Sequence, residues 1–168
     1  LPFWYTLFTN LNFEVVLSPE STRSLYIKGQ QTIPSDTVCY PAKLLHGHVM
    51  ALLDEGVDTI FYPCMSYNFD EHLADNHYNC PVVAYYPDLL AVNIPALSKV
   101  KYLHPNLGIH RPKDFEKKGA KLLADEFGVP KRESVKAIRK AYEAYHGFRD
   151  LVQQKGAEYI DFARKSSR

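Results

Sequence analysis

Two cysteines, Cys39 and Cys64, are the residues whose type and position best suit chemistry. Each lies within two residues of a proline, Pro41 or Pro63, where a loop should join a strand to a helix. Open α/β sheets keep their ligands at such junctions. A thiolate there suits zinc or an iron–sulfur cluster, or acts as a nucleophile. We therefore predict that both thiols face one cleft at the carboxyl edge of a parallel sheet.

Two further side chains are expected to line the same cleft and to help hold a cofactor. Lys43 lies one turn and His46 two turns after Cys39 on the helix that Pro41 should start. The alternatives without a function are that Lys43 is an ordinary surface lysine and that His46 is a solvated histidine. His48 cannot share an ion with His46, because residues two apart on a helix point away from each other.

The third cysteine, Cys80, is predicted to be structural. It precedes the run 81–86, which is rich in valine and tyrosine and predicts a strand. If that strand is parallel to its neighbours, Cys80 lies at the opposite edge of the sheet, distant from Cys39 and Cys64. Free cysteine is often fully buried, so we expect a buried thiol there.

The elements that position these residues alternate along the chain. Strands are predicted over 13–17, 59–62 and 81–86, and helices over 21–29, 41–56 and 88–96. Such alternation indicates a three-layer α/β/α domain over 1–110, with a mostly parallel, flavodoxin- or Rossmann-like sheet. Residues 65–79 form a long polar and aromatic loop, and loops of that length are usually functional.

A helical extension is predicted over 111–168. One helix runs from about Phe115 to Phe127 and ends at Gly128, and a long amphipathic pattern follows from 133 to 163. Gly147 and Gly156 are candidate breaks in that pattern. We expect its apolar stripe to pack on the α/β domain or on a second copy, because soluble monomers avoid large apolar patches.

The composition narrows the class of protein. The chain has 168 residues and a net charge of +1, which gives no bulk attraction for nucleic acid. No apolar run is long enough to span a membrane. Three cysteines, an odd number, favour a reducing compartment, so we predict a cytoplasmic protein. The apolar start at Leu1 suggests a piece of a longer protein that lacks a first strand.

The sequence around the cysteines resembles a known family, most specifically in residues 35–43 and 61–64 and also in 13–18, 46–48 and 79–83. It looks like the C-terminal region of large bacterial CoA-substrate-specific enzyme activases, relatives of the 2-hydroxyglutaryl-CoA dehydratase system. In that system an ATPase of the ASKHA type injects an electron, driven by ATP, into a dehydratase. The dehydratase subunits are flavodoxin-like and hold a [4Fe–4S] cluster through cysteines.

The resemblance implies roles for particular residues. Cys39 and Cys64 match the first two cluster cysteines, the third cluster ligand of the dehydratases falls beyond Arg168, and Cys80 matches none. The implied function is an iron–sulfur-cluster-binding, electron-accepting domain. Its implied partners are an ATPase activase domain, in the same chain or another protein, and an acyl-CoA substrate. The loaded site should hold the sulfurs of Cys39 and Cys64 roughly 6–7 Å apart.

Two alternatives from other classes stay open. One is a non-catalytic docking or regulatory module that uses the long C-terminal helix. The other is a zinc or reactive-thiol site at Cys39, with His46, His72 or His77 as its further ligand or base. Whether the chain alone is an enzyme stays open as well.

Overall fold

The computed structural model describes residues 1–72 and 74–166. Leu73 of the predicted loop and Ser167 and Arg168 of the predicted extension lie outside the described residues. The helices are α1 (Pro2–Thr9), α2 (Arg23–Gly29), α3 (Tyr40–Asp54), α4 (Pro81–Asn93), α5 (Pro112–Phe127) and α6 (Lys131–Ser166). The strands are β1 (Thr59–Phe61) and β2 (Lys101–Leu103), and 3₁₀ turns cover Gln30–Thr32 and Pro95–Lys99. The chain divides into two compact units, Val16–Arg111 and Leu1–Val15 with Pro112–Arg168.

The Val16–Arg111 unit is a mixed α/β fold built on one parallel strand pair. β1 pairs with β2, with Thr59 opposite Lys101 and Phe61 opposite Leu103. Parallel neighbours need a crossover connection, which α4 supplies. The apolar core of this unit joins α3, β1, α4 and the second 3₁₀ turn, through Ala42, Val49, Ile60, Tyr86, Leu90, Ile94 and Leu97.

α2 and α3 cross at two glycines. A Cβ atom on Gly47 would overlap the Leu25 carbonyl, and one on Gly29 would overlap the Gly47 backbone nitrogen. The backbones of the two helices are therefore in direct contact, which no larger residue permits. Lys28 of α2 also pairs with Asp54 at the end of α3.

The predicted three-layer, mostly parallel sheet is not present among the described residues, whose only named strands are β1 and β2. Residues 13–17 pair with no strand, and Val16 and Leu17 are exposed. Phe13 instead packs its ring on Phe8 and Phe127, with centroid separations of 5.6 and 4.9 Å. Aromatic packing, and not strand pairing, thus fixes the start of this segment.

The predicted strand 81–86 is also wrong, because these residues form the first half of α4. Pro81 occupies the first turn, where a missing N–H costs nothing and a fixed φ favours the helix. Pro87 lies inside α4 and removes the hydrogen bond that the Val83 carbonyl would accept. The Met65 N–H approaches that carbonyl at 3.5 Å instead. A tertiary contact therefore compensates for the proline inside α4.

The unit Leu1–Val15 with Pro112–Arg168 is helical. α1 and α5 each pack on α6, around the buried side chains of Phe3, Phe115 and Ile138. Gly128 follows α5 with φ +67° and donates its N–H to the Ala124 carbonyl at 3.0 Å, as a left-handed C-terminal residue does.

α6 continues unbroken through Gly147 and Gly156. Its second half is exposed over 151–166. The exposed apolar side chains there and just before are Phe148, Leu151, Val152, Tyr159, Ile160 and Phe162. Within the described part of the chain, no helix joins the length and the apolar character that crossing a bilayer requires.

Candidate cysteine site

Cys39 is the N-cap residue of α3, and its thiol is exposed. Its backbone is extended, with φ −62° and ψ 153°, and its side chain makes no capping hydrogen bond. The N–H groups of the first helical turn are therefore not satisfied by this thiol. An exposed cysteine at the start of a helix leaves its sulfur accessible to a metal ion or a cluster.

Cys64 lies just beyond β1, where the parallel pairing continues. Its N–H donates to the Pro105 carbonyl at 2.9 Å, and its carbonyl accepts the Leu107 N–H at 3.1 Å. The side chain is buried, and its sulfur lies 3.6 Å from Oδ1 of Asp88. Burial, with the nearby Asp88 carboxylate, raises the pKa of the Cys64 thiol to about 11. Cys64 is therefore a neutral, rigidly held thiol in this state.

Asp88 links Cys64 to a histidine. The same oxygen, Oδ1, lies 2.7 Å from Nδ1 of His104, which follows β2. The His104 ring stacks on Tyr102, with centroids 4.8 Å apart. Asp88 and His104 were not among the residues predicted from the sequence. No signal in the sequence marks them, because 16 positions separate them along the chain.

Cys80 lies at the same edge as Cys64, and its thiol is exposed, so the expectation of a distant, buried cysteine was wrong. It is the N-cap residue of α4. Its neighbour Asn79 donates from its backbone to the Ser66 carbonyl and from its side chain to the Met65 carbonyl, both at 2.9 Å. The error follows directly from taking 81–86 as a strand. The signal that could have found this position is the proline that follows both Cys39 and Cys80 at a helix start.

The three cysteines influence the pKa values of two tyrosines. The pKa of Tyr62 is raised to about 12, first by burial and then by Cys64, Tyr86 and Cys80. The pKa of Tyr86 is raised by burial and by Cys39. Each thiol is therefore near enough to one of these two tyrosines to act on it electrostatically. The distance between the sulfurs of Cys39 and Cys64 stays a prediction.

His46 is fully buried and engaged through both ring nitrogens. The Thr32 hydroxyl donates to the Gly29 carbonyl at 2.8 Å, so it accepts from Nδ1 of His46, also at 2.8 Å. Nε2 then accepts from the Tyr86 hydroxyl at 3.0 Å. This neutral tautomer ties α3 to α4. His48 points elsewhere, as expected, toward two serine hydroxyls.

Lys43 turns toward the loop that precedes Cys39. Its Nζ donates to the Asp36 carbonyl at 2.8 Å. This hydrogen bond reaches back over the first turn of α3 and holds the segment that leads into Cys39. The two residues predicted to hold a cofactor therefore hold protein groups in this structure, Lys43 at the helix start and His46 in the core.

Stability of the Val16–Arg111 unit should fall as the pH drops below about 6.5. Burial lowers the pKa of His46, so the unfolded chain takes up its proton at a higher pH than the folded chain does. The free energy of unfolding then decreases with falling pH, by at most about 1.4 kcal/mol per pH unit for one proton. Urea unfolding at pH 7.5 and 5.5 measures the slope.

The pKa of His48 is also lowered by burial and contributes with the same sign. His46→Gln and His48→Gln should therefore each flatten the pH dependence in part. A slope that neither variant changes would contradict this assignment.

No group of three histidine, cysteine or acidic side chains is arranged to hold a metal ion among residues 1–72 and 74–166. The histidines proposed for a zinc site are engaged elsewhere, since His72 and His77 both lie within 3.4 Å of Asp70. A compact single-ion site at Cys39 therefore has little support. An iron–sulfur cluster does not require its cysteines to surround one ion. Each thiolate binds its own iron, and the cysteine sulfurs lie roughly 6–7 Å apart.

The fold and the site together define a class, a mixed α/β domain with one cysteine just beyond a parallel strand and two at helix N-termini. Residues 1–168 match the family described as CoA enzyme activase uncharacterised domain (DUF2229). The chain belongs to that family, which confirms the resemblance seen in the sequence. A search of curated proteins and a search of solved structures each found no match.

Proposed function

We propose that the Val16–Arg111 unit is an iron–sulfur-cluster-binding, electron-accepting domain of an acyl-CoA dehydratase activase-related system. The observation that carries the proposal is the placement of Cys39 and Cys64. Cys39 is the exposed N-cap residue of α3, and Cys64 lies just beyond β1, where its backbone continues the parallel pairing. Membership of the CoA enzyme activase family supplies the biochemical context.

The donor chemistry suits a [4Fe–4S] cluster, since thiolates are its usual ligands. Cys39 and Cys64 would bind two of its irons, and each thiol would give up its proton to water. Lys43 would keep the approach to Cys39 in place, and His46 would hold α3 against α4 through Tyr86. The cluster, when bound, would accept one electron from an ATPase activase domain of the same chain or of a partner protein.

Anaerobic reconstitution of the chain with sulfide and equal amounts of ferrous and ferric iron tests the proposal. Wild-type protein should gain iron, sulfide and a visible cluster absorbance, and Cys39→Ser should lose most of all three. Serine is a better N-cap residue than cysteine, so this variant should not weaken α3. A loss of iron then reports a lost ligand and not a lost fold.

A variant with serine at all three cysteines sets the background of loosely bound iron. Wild-type protein that takes up no more iron than this variant would overturn the proposal. Stoichiometric zinc in protein purified in air, lost in Cys39→Ser, would favour the alternative zinc site.

A second candidate function, docking, is favoured by the exposed second half of α6. Phe148, Val152 and Tyr159 project from one side of this helix and are about half exposed or more. Exposed apolar stripes of this kind mark interaction surfaces.

A further inference from the structure

Cys39 and Cys80 occupy equivalent positions on neighbouring helices. Cys39 caps α3 with φ −62° and ψ 153°, and Cys80 caps α4 with φ −62° and ψ 154°. Both thiols are exposed, both precede a proline in the first turn, and neither makes a capping hydrogen bond. Two helix N-termini thus present the same side chain in the same backbone geometry.

A buried hydrogen bond joins α3 to α4 about two turns after each cysteine. His46 lies seven residues after Cys39, and Tyr86 lies six residues after Cys80. These separations correspond to about 10 Å and about 9 Å along the two helix axes. The hydrogen bond between His46 and Tyr86 joins the helices at these points. Each cysteine therefore lies about two helical turns along the chain from a residue of this hydrogen bond.

Cys64 is tied to the same place through the residues beside it. Met65 approaches the Val83 carbonyl that Pro87 leaves free, and accepts from the Asn79 side chain. Ser66 accepts from the Asn79 backbone. The chain just after Cys64 is thus held against the chain just before and after Cys80. Three contacts fix this arrangement without involving either thiol, which leaves both sulfurs free of these hydrogen bonds.

We propose that Cys80 is a third thiolate ligand, completing with Cys39 and Cys64 a three-cysteine site for an iron–sulfur cluster. This inference rests on the proposed function and deepens it, because it supplies from within the chain a ligand that the resemblance places beyond Arg168. On loading, each of the three thiols loses one proton to water and forms one iron–sulfur bond. Two ferric and two ferrous ions combine with four sulfides to give a [4Fe–4S]²⁺ cluster, so assembly from these ions needs no further oxidant or reductant.

The test combines reconstitution with residue-level labelling. Wild-type chain and Cys80→Ser are loaded anaerobically with sulfide and equal amounts of ferrous and ferric iron, then treated briefly with iodoacetamide. Mass spectrometry measures alkylation of each cysteine, and the electron paramagnetic resonance of the reduced sample reports the cluster. In wild-type protein, loading should slow alkylation of Cys80 at least about tenfold, because a metal-bound thiolate is a poor nucleophile.

Cys80→Ser should lose or alter the cluster signal while its far-ultraviolet circular dichroism stays unchanged, since serine is a favoured N-cap. Val92→Ala serves as the control on the same helix, because the Val92 side chain is 82% exposed, and it should keep the cluster. A loaded wild-type chain in which Cys80 is alkylated at its apoprotein rate, or a Cys80→Ser variant with an unchanged signal, would overturn this inference alone. Failure of the wild-type chain to load would overturn the proposed function as well.

Discussion

Gly47→Ala is expected to unfold the Val16–Arg111 unit well below the melting temperature of the wild-type protein. The added Cβ would overlap the Leu25 carbonyl, which belongs to the α2 backbone and cannot rotate away. The helices would have to separate, and overpacking of this kind costs about 3 kcal/mol. For a unit of this size the melting temperature should fall by more than about 10 °C. Differential scanning calorimetry measures the effect.

The matched control for this variant is Gly147→Ala in α6. A Cβ at Gly147 meets no atom within 4 Å, so only the helix propensity changes. Alanine is favoured over glycine in a helix interior by about 1 kcal/mol, which should stabilise the other unit slightly. Equal effects of the two substitutions would contradict the close crossing of α2 and α3.

The consequence of Gly47→Ala for the site follows from its neighbour. His46 precedes Gly47 and bonds both Thr32, just after α2, and Tyr86 of α4. Displacing α2 would remove the Thr32 hydroxyl from Nδ1 of a buried imidazole, and a lost partner of a buried polar group costs about 1–3 kcal/mol. Gly47→Ala should therefore also perturb the region around Cys39, although Gly47 is not one of the proposed ligands.

The sequence predicts well those elements whose ends carry local signals. α3 starts beside Pro41 and ends before Gly56, and β1 is the buried run after it. α5 ends where Gly128 adopts a positive φ. In each case a proline, a glycine or a short apolar run acts within its own segment, so no tertiary information is needed.

The failure at α4 has a tertiary cause. Val82, Val83 and Tyr85 favour a strand, and Pro87 argues against a helix through the same residues. The helix forms because its apolar face packs in the core and because Met65, 18 positions before Val83, approaches the freed carbonyl. A contact at that separation leaves no local signal. The misplacement of Cys80 is the direct result.

The burial of the site residues was a second feature that the sequence could not predict. The helical pattern of α3 placed Lys43 and His46 on neighbouring turns. It did not show which groups these two side chains would contact. His46 faces Tyr86 of α4, a helix that the sequence did not predict at that position. Cys64 meets Asp88 for the same reason. The contacts of His46 and Cys64 depend on where α4 runs. An error in predicting α4 therefore becomes an error in predicting the surroundings of both residues.

Phe115→Ala should produce the largest loss of stability in the helical unit. The ring is 1% exposed and lies edge-to-face against Phe3, Trp4 and Tyr142, with centroids 5.1, 5.7 and 6.0 Å away. Truncation removes these contacts and leaves a cavity between α1, α5 and α6, and such changes cost about 3–5 kcal/mol. Thermal unfolding followed by the circular dichroism of the helices measures the loss.

Phe162→Ala is the control, because it makes the same chemical change on the exposed part of α6, where the ring is 69% exposed. Its effect should stay within about 0.5 kcal/mol, as for surface substitutions generally. The contrast isolates burial, since both phenylalanines lie in helices and both variants gain the same helix propensity. A Phe115→Ala variant as stable as Phe162→Ala would mean that the aromatic cluster does not hold α1 and α5 on α6.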